Sequence, residues 1–114
     1  MVWYYGNDRP ASVEKKLRLG QRQYTVNFNL KVLKNEAYKY RWQSVTLEPG
    51  VWAYGPLVSA IVSLRYPEDA MQAIVNNYLL EPRTEEAKSE MQAMQKWRAY
   101  AKEVANQCLK DSSQ

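Results

Sequence analysis

The fold class this sequence predicts is α+β: an antiparallel sheet built around a β-hairpin at about residues 22–47, packed on one face by three helices, the last one long. Three observations point there. Apolar and polar residues alternate through residues 22–47, the period of a strand with one buried face. Three later segments carry helical spacing behind Pro, acidic or Thr start signals. At 114 residues, with 46% hydrophobic and 25% charged content, the chain has the size and composition of one soluble domain. That domain spans 1–114, mostly β over 1–50 and mostly α over 56–110.

Residues 1–20 carry the least pattern. Val2 to Tyr5 fits a short strand, Gly6-Asn7-Asp8-Arg9-Pro10 is turn chemistry, and Val13 to Leu19 fits either a strand or a basic pair of helical turns. Tyr24, Val26, Phe28, Leu30 and Val32 then alternate with Thr25, Asn27, Asn29 and Lys31. Lys34-Asn35-Glu36 can close a hairpin, and the return strand offers Tyr38, Tyr40 and Trp42 against Lys39, Arg41 and Gln43. Val45 and Leu47 fall on the other parity, so a bulge near Gln43 and Ser44 is expected to restore one apolar face. The aromatics of the hairpin are thereby assigned to the core. Asn27, Asn29, Lys31, Lys39 and Arg41 are assigned to a polar, basic face.

Gly55-Pro56 puts Pro at the first helical position. Leu57, Val58, Ala60, Ile61, Val62 and Leu64 are apolar nearly all round, the mark of a buried helix, with a buried strand as the alternative. Pro67-Glu68-Asp69 opens a second helix with the stripe Ala70, Met71, Ile74, Val75, Tyr78 and Leu79. Thr84-Glu85-Glu86 caps a third that runs to about Lys110, roughly 40 Å at the helical rise. Its stripe of Met91, Met94, Trp97, Ala101, Val104 and Cys108 has heptad-like steps, and its length exceeds what a small core needs. The tail 111–114 reads as disordered.

Thirteen of the fourteen aromatic residues are Tyr or Trp, and there is no histidine. Tyr and Trp suit half-wet surfaces. Lacking His, the chain lacks the commonest general base and the commonest metal ligand. One cysteine, Cys108, permits no internal disulfide and fits a reduced, cytoplasmic setting. Its place near a helix C-terminus argues against a reactive thiolate. Ser12-Val13-Glu14-Lys15 matches S-x-x-K, but the partner motifs of that chemistry are missing. Gly6, Gly20, Gly50 and Gly55 are scattered, so no phosphate loop is expected. No catalytic residue, metal site or cofactor is assigned.

Charge is uneven. Residues 1–50 hold nine Lys and Arg against four acids, while residues 51–114 hold seven against eight. A basic half favours an anionic partner. Tyr38-Lys39-Tyr40-Arg41-Trp42 interleaves aromatics and cations as nucleic-acid platforms do. The candidate binding residues are therefore Lys31, Lys39 and Arg41 with Trp52, Tyr54, Trp3, Tyr4 and Tyr5. No apolar run reaches the length of a membrane span, no secretion signal follows Met1, and no membrane partner is expected.

The segments Val58-Ser59-Ala60-Ile61-Val62, Arg65 to Leu79 and Met94-Gln95-Lys96-Trp97-Arg98 resemble small proteins encoded by phages and prophages of gut bacteria. The resemblance spans about residues 22–105 and carries no catalytic signature. It implies a phage-associated accessory protein in the bacterial host cell: an assembly component or an inhibitor of host defence.

The function expected is that of a non-enzymatic interaction protein acting on a protein partner or as a homo-oligomer, with Met91, Met94, Trp97, Ala101 and Val104 as its seam. The alternative is a nucleic-acid or nucleotide binding module that uses the basic sheet face.

Overall fold

A computed structural model describes residues 2–34 and 37–112. The chain runs β1 (Tyr4–Gly6), β2 (Val13–Arg18), β3 (Gln21–Val32), β4 (Tyr40–Thr46), α1 (Tyr54–Arg65), α2 (Glu68–Leu79) and α3 (Glu85–Ser112). The four strands form one antiparallel sheet in the order β1-β4-β3-β2, with helices on one side. Asn35 and Glu36 of the expected hairpin closure, and Ser113 and Gln114 of the expected disordered tail, lie outside the described residues. Asp111 and Ser112, assigned to that tail, instead continue α3.

The hairpin period is real, but its slip lies on the other strand. Val26 stands opposite Val45 and Phe28 opposite Gln43, so Gln43, Val45 and Leu47 continue one face of β4 without interruption. The irregularity falls in β3, between Phe28 and Lys31, where Asn29 adopts a left-handed backbone (φ 55°). Asn tolerates that conformation better than most side chains. The expected bulge at Gln43 and Ser44 is therefore corrected, and the core assignment of Tyr40 and Trp42 falls with it. Both occupy the face of β4 opposite to that of Gln43 and Val45. Trp42 lies across Gly6, where an added Cβ would come within 3.0 Å of the indole.

The core is Val26, Phe28, Val45 and Leu47 from the sheet, Leu57, Ile61 and Val62 from α1, and Trp97, Ala101, Ala105 and Cys108 from α3. Burying such side chains contributes roughly 1.5–3 kcal/mol each for the larger ones. The alanines of α3 let the helix axis approach closely, and the Trp97 indole N–H donates to the Ile61 carbonyl at 3.1 Å. α1 opens at Tyr54, so Pro56 sits in its first turn, where a missing N–H costs nothing. Thr84 caps α3 by accepting from the Ala87 N–H at 3.0 Å. α2 packs against α3 and buries no residue fully; Val75 and Leu79 of its expected stripe are exposed.

Candidate functional site

The bulge decides what the far end of the helix side presents. Two residues of β3, Asn29 and Leu30, stand against the single Trp42 of β4. From Lys31 onward the parity of β3 is inverted, and Lys31 joins the face of Phe28. Its partner is Arg41, which shares the face of Gln43. Arg41 is paired on its other side with Tyr5 of β1. Two cations thus stand directly opposite one another just past the covered core.

Their surroundings are aromatic. The Arg41 guanidinium lies 4.2 Å from the ring centroid of Trp3, within cation–π range. Tyr5 and Tyr38 meet at 5.6 Å with a tilt of 43°. Arg41 Nε is buried and has no hydrogen-bond partner among the described residues. Lys39 is pinned by its backbone: its N–H donates to Asn7 Oδ1 at 3.2 Å, and its carbonyl accepts from the Leu33 N–H at 2.7 Å. The ion pairs found among the described residues are Arg83 with Glu81 and Lys88 with Glu85, both away from this end. A directly opposed pair of like charges is destabilising unless something neutralises it.

A polar anchor holds the bulge. Gln43 is 0% exposed, and its Oε1 accepts from Asn29 Nδ2 at 2.9 Å. The Tyr100 hydroxyl shares a backbone hydrogen bond with Asn29. Burial is the main reason its phenol is raised above the ordinary range; that bond offsets part of the rise, and Cys108 and Glu103 add to it. Beside the bulge lies a cleft of about 380 Å³ lined by Asn29, Arg65, Ala93, Lys96, Trp97 and Tyr100. Arg65 covers Trp97 and Tyr66, at 5.4 and 5.6 Å from their rings. A second cleft of about 230 Å³ includes Arg9, Asn27, Trp42, Cys108 and Asp111 in its walls. The Cys108 thiol there is pushed up by burial and then by Asp111, away from nucleophilic use. Among the described residues, no three His, Cys, Asp or Glu side chains gather as metal ligands.

Of the expected binding residues, the structure brings Lys31, Arg41, Trp3 and Tyr5 together, with Lys39 adjoining. It separates the others. Tyr4 pairs with Trp42 and faces the opposite side of the sheet. Trp52 stacks on Tyr24 at 4.2 Å and 14°, at the other end of the hairpin, and Tyr54 opens α1 there. The single basic face expected from Asn27, Asn29, Lys31, Lys39 and Arg41 is split by the bulge. Asn27 lies on the face of β3 opposite to Val26 and Phe28, accepting from the Ser44 hydroxyl and donating to the Ala11 carbonyl, while Asn29 turns to Gln43. The residues of the expected oligomer seam lie largely inside the fold. Met94, Trp97 and Ala101 are 1%, 7% and 0% exposed inside the chain's own fold, and Met91 and Val104 are half-buried. Tyr38, assigned to the core, and Asn29, assigned to solvent, are the site residues that the alternation pattern misplaced.

No family model, no curated protein and no solved structure matches this chain.

Proposed function

We propose that this is a non-enzymatic binding protein whose ligand is single-stranded nucleic acid, held at the bulge end of the sheet. The observation that carries the reading is the Lys31–Arg41 cross-strand pair, without an ion pair among the described residues and flanked by Trp3 and Tyr5. A phosphate between the two cations relieves their repulsion. The exposed rings of Tyr5 and Tyr38 offer π-faces to bases, the combination by which single strands are held with little sequence preference. An acidic protein would satisfy the cations but leave the rings without a role. Self-association through the α3 stripe would require unpacking the core, which removes the support for that reading.

The test is fluorescence anisotropy of a labelled single-stranded oligonucleotide across a salt series. Binding should weaken log-linearly with salt, and Lys31→Ala or Arg41→Ala should each lower the slope by about one. Tyr5→Ala should weaken binding without changing that slope. Absence of binding at low salt, or a Lys31→Ala/Arg41→Ala double variant that binds like the parent, would overturn the reading.

A further inference from the structure

The other end of β3 carries a feature that neither the core nor the bulge end uses. β2 and β3 are joined by the two-residue turn Leu19-Gly20, between the paired Arg18 and Gln21. Both turn residues have positive φ, 52° and 76°, the type I′ hairpin geometry. Gly suits its position, and a Cβ there would meet nothing within 4 Å, so the tip stands clear of the rest of the chain. The first turn position favours Asn, Asp or Gly, yet it holds a leucine. Leu19 is 89% exposed, and Leu17, two residues earlier on β2, is 80% exposed. Around them Lys15, Lys16, Arg18 and Arg22 are all exposed, and none is ion-paired among the described residues. Glu14 is the only acid on β2.

Two ordinary explanations account for the cations alone. Lysines on an edge strand discourage strand-to-strand aggregation, but that purpose is served by removing exposed leucines. A phosphate backbone would attract the same cations, but an aliphatic side chain offers it neither charge nor a π-face. Aliphatic tips ringed by cations match a surface that is anionic at its rim and hydrocarbon beneath. We propose that the β2–β3 hairpin tip docks on an anionic lipid bilayer, with Leu17 and Leu19 entering the acyl boundary and Lys15, Lys16, Arg18 and Arg22 lying over acidic headgroups. No helix among the described residues is long and apolar enough to cross a membrane. A peripheral contact of this kind requires none. The twelve residues of β3 span about 40 Å at strand rise, so a bilayer at the tip and a ligand at the bulge occupy opposite ends.

The test is co-sedimentation of the full chain with vesicles of phosphatidylcholine alone or mixed with phosphatidylglycerol. The chain should partition onto the mixed vesicles, at least roughly tenfold more weakly onto the neutral ones, and less at high salt. Each cation changed to Gln should weaken partition by roughly fivefold. Leu17→Thr/Leu19→Asn should weaken it by roughly tenfold or more while oligonucleotide binding stays unchanged. Both substitutions suit their local backbone, and a thermal melt verifies that the variant folds. Absence of partition onto anionic vesicles, or a leucine variant that partitions like the parent, would overturn the proposal. A parallel loss of oligonucleotide binding in that variant would also overturn it, by assigning the tip to the nucleic-acid surface.

Discussion

Among the described residues, two non-glycine residues, Asn29 and Leu19, occupy the left-handed region, and they are used differently. Asn29 receives a return for its backbone: its amide reaches the buried Gln43, and its main chain bonds Tyr100. Leu19 receives none within the fold, because it lies at an open tip. Leu19→Asn should therefore raise unfolding free energy by about 1 kcal/mol, read as a higher urea midpoint at unchanged slope. A destabilised protein would show that the leucine makes a contact its exposure does not reveal. Neither backbone was legible in the sequence. Leu30 completes the apolar alternation after Asn29, so the pattern runs straight through the bulge, and nothing in a leucine announces a positive φ.

At the level of elements, α3 shows what spacing reveals and what it leaves open. The stripe Met94, Trp97, Ala101 and Cys108 was readable as an apolar seam, and so was its start at Thr84. Its partner was not readable, because heptad-like steps serve an outside helix and an inside core equally well. The length of α3 is used within the chain: its later stripe packs on the sheet and α1, and it carries α2 as well. Thr84 caps the whole element with one side-chain bond. Thr84→Ala should cost about 1 kcal/mol in chemical denaturation, and Thr84→Asp should recover most of it. Equal losses in both variants would place the effect elsewhere than in the cap. The hairpin misled for a related reason. Tyr40 and Trp42 look like core residues by type, but it is the register of β4 that selects Gln43, Val45 and Leu47 for burial.

The whole molecule is elongated, 51 × 39 × 23 Å, with a radius of gyration of 16.7 Å. A compact chain of this length would measure about 13 Å. The excess fits a sheet whose two ends and a helix pair all reach past the core. With most of the α3 stripe internal, the large apolar side chains exposed at α2 are Val75 and Leu79, with Leu80 at its C-cap. Three such side chains do not by themselves make up the roughly 800 Å² per partner of a standard stable interface. Light scattering at high micromolar concentration should therefore give a monomer, and a concentration-dependent dimer would contradict this accounting. The fold class was legible because period and composition are local signals. The strand order was not, because residues 7–12 carry the chain from the β4 edge to the β3 edge without any pattern to announce it.

β1 is three residues long and is held by three paired positions, yet it delivers Tyr5 and leads in from Trp3. So short an edge strand, with only three paired positions, opens more readily than the centre of the sheet. The affinity of the proposed site would then be scaled by the fraction of molecules in which that strand is in place. In the proposed complex, occupancy of the site and closure of the sheet edge become one thermodynamic event, so that ligand would tighten the N-terminal strand as the strand would tighten ligand. Whatever is fused ahead of Trp3, a tag included, enters that equilibrium as a third party.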